Sequence, residues 1–127
     1  AEKLRSILVV EDSPIVYTIV KKYAERHKDW RIQVNWAING MEGLKAVKER
    51  APDLILLDLM MPEYDGFLFL EVALKTEVCG NVPILVYSAA DAETRHKAKK
   101  HPLVKEVVDK STSPSKLFDI FLKYLPV

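Results

Sequence analysis

The chain has 127 residues, of which 49% are hydrophobic and 29% are charged, and its 19 basic and 18 acidic residues leave a formal charge of +1. That length and composition are those of one globular domain, which we expect to span residues 1–127. The balanced charge gives no reason to expect nucleic-acid binding, and the longest apolar runs are too short for a transmembrane helix, so we expect no membrane partner.

The first half of the chain predicts strand, helix, strand and helix in turn. Residues 6–10 are a short apolar run of the β type, and a Ser-Pro pair then marks the start of a helix over residues 14–26. Apolar and polar residues alternate over residues 32–36, as in a strand, and an Asn-Gly break precedes a short helix over residues 41–48.

The second half continues the same alternation three more times. The predicted strands are residues 53–57, 83–87 and 105–108, and the predicted helices are residues 67–75, 91–100 and a last one that starts at the Ser-Pro pair 113–114. The first two of these strands are continuous apolar runs, which is typical of strands buried on both faces. Strand and helix therefore alternate five times, which predicts an α/β fold with parallel strands, right-handed crossovers and helices on both faces of the sheet.

Polar residues stand at the C-terminal ends of four strands: Glu11 and Asp12 after the first, Asp58 after the third, Ser88 after the fourth and Lys110 after the fifth. A parallel sheet brings these ends to one edge, where such proteins bind ligands. Three crowded carboxylates raise one another's pKa unless a cation enters, and carboxylate oxygens suit Mg²⁺. Lys110 offers a positive charge to a phosphate, and Asp58 is placed to act as a nucleophile. A simpler interpretation, in which Asp58 forms a turn or caps the next helix, also fits its position.

With these residues the chain resembles the receiver domain of two-component response regulators over nearly its whole length. The resemblance is carried by residues 9–14, 56–62, 65–66 and 88–89 together with Lys110, all in the expected order. It implies a flavodoxin-like (βα)5 fold, a doubly wound five-stranded parallel sheet in the order 2-1-3-4-5.

The resemblance also implies a role for each site residue. Asp58 is the expected phosphoacceptor, and it receives a phosphoryl group from a sensor histidine kinase or a phosphotransfer protein. The expected Mg²⁺ ligands are Glu11, Asp12, Asp58 and the backbone carbonyl of Met60. Lys110, Ser88 and Ala89 are the expected phosphate-binding and switch positions. In the family, the positions of Met60 and Ala90 border the path of attacking water, and since neither side chain can orient water we expect slow loss of phosphate.

Two positions depart from the family pattern. Val107 stands where the family has an aromatic residue, three positions before the lysine, so the usual ring movement on activation is not available here. Ser111 follows Lys110 where the family has a proline after a cis peptide bond. Because a cis bond before a non-proline residue costs about 2.5–4 kcal/mol, we expect a trans bond, or a cis bond held by the contacts of Lys110.

The leading functional hypothesis is a phosphorylation switch that changes a protein-interaction surface, without enzyme activity beyond assisting its own phosphorylation and dephosphorylation. The alternative is a receiver-like interaction module that works without phosphorylation, which the two departures favour slightly. The expected downstream partner is a separate protein or an attached output domain. A basic helix over residues 91–100 favours an acidic partner surface, although a solvated helix face explains it equally well.

The ends of the chain and its cysteine give weaker indications. Residues 1–5 lack the pattern of a secretory signal, which favours a cytoplasmic protein. Since the chain does not begin with Met, we expect it to be processed or to be part of something longer. Cys79 is the single cysteine, which excludes a disulfide within the chain.

Overall fold

The computed structural model describes residues 4–126, in which five strands alternate with five helices. The strands are β1 (Leu4–Val10), β2 (Arg31–Ala37), β3 (Leu54–Leu57), β4 (Ile84–Ser88) and β5 (Val104–Asp109). The helices are α1 (Pro14–Arg26), α2 (Gly40–Glu49), α3 (Gly66–Thr76), α4 (Ala92–Lys99) and α5 (Pro114–Tyr124). Residues 1–3, part of the segment without a signal pattern, lie outside the described residues.

All five strands are parallel and lie in the order β2-β1-β3-β4-β5, which confirms the predicted winding. Val10 at the end of β1 pairs with Ala37 of β2 and with Leu57 of β3. Ser88 at the end of β4 pairs with Asp109 at the end of β5. The C-terminal ends of the strands are therefore aligned at one edge of the sheet, and the loops that follow them begin side by side.

The sheet separates two hydrophobic layers. One layer packs α2, α3 and α4 against the sheet around the fully buried Phe69, and the other packs α1 and α5 around the fully buried Phe121. Strand β3 is buried at every residue, as its continuous apolar sequence predicts. This rigid centre ends directly at Asp58, so the position of its carboxylate is set by the sheet rather than by a loose loop.

Each helix begins at a residue whose side-chain oxygen accepts a hydrogen bond from the first turn. These N-cap residues are Ser13, Asn39, Asp65, Asp91 and Ser113. Proline follows the cap in α1 and α5, where its missing N–H costs nothing. The predicted helix and strand bounds differ from the observed ones by two residues or fewer, apart from the unpredicted end of α5.

None of the helices in the described part of the chain is long and apolar enough to cross a membrane. Cys79 is buried in the layer around Phe69, and burial raises the pKa of its thiol to about 11. The thiol therefore behaves as a small apolar side chain at neutral pH.

Candidate phosphoacceptor site

Three carboxylates meet beyond the ends of β1 and β3. Glu11, Asp12 and Asp58 each place one oxygen within 4.8 Å of the other two. The Glu11 and Asp58 residues are buried, with 3% and 4% of their surface exposed, whereas Asp12 is exposed. The Asp58 amide donates to the carbonyl of Val10 at 3.0 Å, so the hydrogen bonding of the sheet continues through the acid itself. The three acids predicted from sequence are thus brought together as expected.

Lys110 follows the edge strand β5, and its side chain extends past the end of β4 to reach these acids. Its Nζ lies 3.0 Å from Oε2 of Glu11 and 3.6 Å from Oδ1 of Asp58. Its backbone N–H donates to the carbonyl of Ser88 at 3.0 Å, which ties the start of the β5–α5 connection to β4. Lys110 therefore sets a positive charge beside Asp58, while about a quarter of its side chain (27%) stays open to solvent.

The site contains three carboxylates but only one nearby amine among the described residues, that of Lys110. Burial raises the pKa of Glu11 to about 7, although Lys110 opposes the shift. Burial likewise raises the pKa of Asp58, again against the attraction of Lys110. Burial alone lowers the pKa of Lys110, but the hydrogen bond to Glu11 and the charge of Asp58 outweigh it, so the net direction is upward. One amine does not satisfy three carboxylates, and a further cation would lower the free energy of the ionised site.

Ser88 and the two alanines after it lie at the C-terminal end of β4, the strand beside β3. The Ser88 side chain is fully buried, and its Oγ accepts a hydrogen bond from the backbone N–H of Ala90 at 3.0 Å. Ala89, which follows Ser88, is exposed. Because the Ser88 Oγ accepts in this bond, the bond does not use the hydroxyl proton, and the role of Ser88 in phosphate binding stays a prediction.

The loop after Asp58 folds back onto the site. The N–H of Met60 lies 3.4 Å from Oδ1 of Asp58, and the Met60 side chain is 64% exposed. At the end of the loop the Gly66 N–H donates to the carbonyl of Leu59 at 3.1 Å. A Cβ on Gly66 would lie 2.5 Å from the carbonyl oxygen of Asp58, so only glycine lets α3 start this close to the acid.

The connection after β5 is built without the family's aromatic residue and proline. Val107 is half-buried and pairs with Val86 in the sheet. There is no cis peptide bond in residues 4–126, so Lys110 and Ser111 are joined by a trans bond. The side-chain Oδ1 of Asp109 accepts the Ser111 N–H at 2.7 Å, and this bond defines the turn that proline would otherwise shape.

Some residues beside the site were not predicted to matter. Trp36 donates from Nε1 to the backbone carbonyl of Glu11 at 2.6 Å and stacks on Tyr17, with 5.7 Å between the ring centroids. The Tyr87 hydroxyl donates towards the carbonyl of Lys110 at 3.3 Å, and Arg95 pairs with Asp109. None of these contacts was predicted, because no local sequence pattern reports what a side chain reaches across the fold.

Residues 7–121 match the family model of the response regulator receiver domain. The chain belongs to the response regulator receiver domain family. The receiver resemblance seen in the sequence is therefore confirmed, and the acidic cluster fits the phosphoacceptor site of a two-component signalling domain.

Two relatives illustrate the range of the receiver family. The probable C4-dicarboxylate response regulator DctR of Bacillus subtilis is 38% identical over 95 residues, which are 74% of this chain and 41% of that protein. Protein PilH of Pseudomonas aeruginosa is 31% identical over 88 residues, 69% of this chain and 70% of PilH. The chain thus spans less than half of DctR but most of PilH.

Two solved structures have the same fold. The receiver domain of the Francisella response regulator 1452 has a TM-score of 0.79 at 25% identity, covering 94% of this chain and 96% of that one. The receiver domain of the sensor histidine kinase PA1611 from Pseudomonas aeruginosa has a TM-score of 0.81 at 20% identity and covers 98% of both chains. That structure has a magnesium ion coordinated in its active-site cleft.

Proposed function

We propose that Asp58 is the phosphoacceptor of this receiver domain and that its donor is a phosphohistidine on a sensor histidine kinase or a phosphotransfer protein. The observation that carries the proposal is the buried Asp58 carboxylate, held at the end of β3 with Lys110 Nζ 3.6 Å from Oδ1. In the transfer, an Asp58 oxygen forms a bond to phosphorus while the bond from phosphorus to the donor's histidine nitrogen breaks. The imidazole nitrogen takes the electron pair of that bond.

A divalent cation fits the donor set of this site. Glu11, Asp12 and Asp58 offer carboxylate oxygens that are close together, and hard oxygen ligands are those Mg²⁺ prefers. We assign these three side chains and the backbone carbonyl of Met60 as the ligands. Mg²⁺ bound there would neutralise charge on the carboxylates and on the oxygens of the phosphoryl group.

The remaining site residues position and stabilise rather than react. Lys110 supports the phosphoryl oxygens with a fixed charge, and its contact with Glu11 keeps its amine in place. Ser88 turns its hydroxyl towards a phosphoryl oxygen, aided by the backbone at Ala89. Phosphoryl transfer depends mainly on such positioning and charge stabilisation, so the domain needs no further catalytic group and acts only on its own phosphorylation and dephosphorylation.

The phosphoacceptor assignment is tested by intact-mass measurement after incubation with phosphoramidate or acetyl phosphate and Mg²⁺. We expect one adduct of about 80 Da, the mass of a phosphoryl group, and its loss in Asp58→Asn. Asp53→Asn is the matched control, because Asp53 lies just before the same strand and its Oδ2 accepts a hydrogen bond from the Ser6 N–H at 2.8 Å, an acceptor that asparagine keeps. An adduct that persists in Asp58→Asn would refute the assignment.

The alternative, an interaction module that works without phosphorylation, predicts that no donor gives an adduct. Val107 and Ser111 favour it, since they remove the aromatic ring and the proline of the usual switch. The complete set of Glu11, Asp58 and Lys110 in contact weighs against it, because a module that is never phosphorylated has no need to retain this costly cluster of buried charge.

The lifetime of the phosphoryl group is expected to be long. Met60 is exposed beside Asp58 and Ala90 follows the Ser88 turn, and neither side chain can orient an attacking water. Replacing Met60 with Asn and Ala90 with Glu together should shorten the lifetime several-fold. Loss of the mass adduct over time after removal of the donor measures the rate, and an unchanged rate in the double variant would contradict the idea.

The downstream partner is proposed to present an acidic surface. The last turn of α4 carries His96, Lys97 and Lys99, and all three are exposed. Complementary charge on a separate protein or on an attached output domain would speed association and select the partner. Residues 1–127 are proposed to form one receiver domain that acts in the cytoplasm, with no direct contact to nucleic acid or membrane.

A further inference from the structure

Helix α4 is joined to the end of β5 by an ion pair. Arg95 of α4 contacts Oδ2 of Asp109, and the other oxygen of that carboxylate accepts the Ser111 N–H at 2.7 Å. Strand residues two apart lie on the same face of the sheet, so Asp109 and Val107 project from the same face of β5. The Val107 side chain is shorter than the aromatic ring that the family has at this position. One carboxylate therefore connects α4 to the peptide immediately after Lys110.

The segment that carries Lys110 is also held from β4. The Tyr87 hydroxyl donates towards the carbonyls of Lys110 at 3.3 Å and of Thr112 at 3.4 Å. The Lys110 N–H donates to Ser88, and the Thr112 N–H donates to the carbonyl of Asp109 at 2.9 Å. These bonds limit the backbone at Lys110 to small shifts, and any shift must be shared with Asp109.

We infer that the Arg95–Asp109 ion pair positions Lys110 and transmits the state of Asp58 to α4, in place of an aromatic residue at Val107. This inference rests on the proposed phosphorylation of Asp58. Contacts run without a gap from Asp58 to Lys110, through one peptide to Asp109, and on to Arg95. A phosphoryl group adds negative charge beside Lys110 Nζ, and the resulting shift of Lys110 moves the Asp109 carboxylate that anchors α4.

The ion pair gives this coupling a property that an aromatic ring would not have. The Arg95 and Asp109 side chains are 28% and 45% exposed, so dissolved salt reaches both charges. Screening weakens partly exposed pairs as ionic strength rises. The response of α4 to phosphorylation should therefore decrease with added salt.

The test compares Arg95→Gln with Lys100→Gln, because the second variant removes an exposed charge at the C-cap of the same helix. Amide chemical shifts of α4 are recorded with and without beryllium fluoride and Mg²⁺, a mimic of the phosphoryl group. We expect the shift changes in α4 to fall by at least half in Arg95→Gln, to recover in Arg95→Lys, and to match wild type in Lys100→Gln. An α4 response in Arg95→Gln equal to that of wild type would overturn the inference.

A second measurement separates failure of this inference from failure of the proposed function. Thermal midpoints are measured for Arg95→Gln, Lys110→Met and the double variant without any phosphoryl donor. If the two positions are coupled, the shift of the double variant differs from the sum of the single shifts, and the difference shrinks with salt. Additive shifts would overturn the coupling even if Asp58 is phosphorylated. A missing mass adduct together with non-additive shifts would overturn the proposed function, and with it the transmission from Asp58, while the coupling between Arg95 and Lys110 would stand.

Discussion

Replacing Gly66 with alanine is expected to destabilise the fold by about 3 kcal/mol, at the upper end of the usual cost of overpacking. The new Cβ would lie 2.5 Å from the carbonyl oxygen of Asp58 and 2.8 Å from the Cα of Leu59. Both are backbone atoms of the strand end and its loop, so no side chain can rotate away. Either α3 or the Asp58 loop must shift, and the phosphorylation rate should fall together with stability. Unfolding in denaturant and the initial rate of adduct formation measure the two effects.

Gly80 provides the matched control for this substitution. It has a left-handed backbone with φ of +52°, and a Cβ there would meet nothing within 4 Å. Alanine at this position should cost about 1 kcal/mol through backbone strain alone, and it should leave the phosphorylation rate unchanged. If Gly66→Ala were no more harmful than Gly80→Ala, close packing of α3 on the Asp58 loop would not be what holds the site in shape.

The sequence predicts the fold well because its determinants are local. The apolar run over residues 54–57 is buried at every position, and the capping residues Ser13 and Ser113 with their prolines mark two helix starts correctly. The strand order, by contrast, came from the family resemblance. Alternation of strand and helix fixes parallel strands, but it leaves open which strands are neighbours.

The residues of the site that stand directly after a strand could be predicted from the sequence. Glu11, Asp58 and Lys110 stand at the ends of parallel strands, and a common edge brings them into contact. The Arg95–Asp109 pair and the bond from Trp36 to Glu11 were not predictable. The first contact joins residues 14 positions apart and the second joins residues 25 positions apart. Both depend on the direction in which a long side chain extends across the fold, which sequence periodicity does not encode.

Asp58→Asn is expected to make the metal-free protein more stable by about 1 kcal/mol, although it removes the proposed acceptor. Glu11, Asp12 and Asp58 crowd their charges within 4.8 Å, and burial penalises the ionised form of Asp58. Asparagine has nearly the same shape and can still accept from the Met60 N–H. Lys110 would keep Glu11 at 3.0 Å as a partner, so the substitution leaves no buried amine alone.

The extra stability of metal-free Asp58→Asn over the wild type should grow as pH rises. The pKa of Asp58 is raised by burial, and that of Glu11 is raised from 4.5 to about 7, so both groups bind protons more tightly in the folded state than in the unfolded chain. A group with a raised pKa stabilises the fold at low pH, and this contribution is lost as pH rises through the folded value. The wild type loses the contributions of both groups, whereas Asp58→Asn loses only that of Glu11. Unfolding midpoints of the wild type and of Asp58→Asn are measured in EDTA, below the ordinary Glu11 pKa of 4.5 and above its folded value of about 7. We expect the two midpoints to differ more at the higher pH.

Magnesium is expected to reverse the order of stability. A cation that binds only the folded state stabilises it by an amount that increases with the logarithm of its affinity, and Asp58→Asn offers one charged oxygen ligand fewer. Titration with Mg²⁺ should therefore raise the midpoint of the wild type and of Asp53→Asn more than that of Asp58→Asn. A variant that is less stable than wild type in EDTA would mean that the attraction of Lys110 outweighs the crowding of the acids. Equal responses to Mg²⁺ would remove Asp58 from the set of metal ligands.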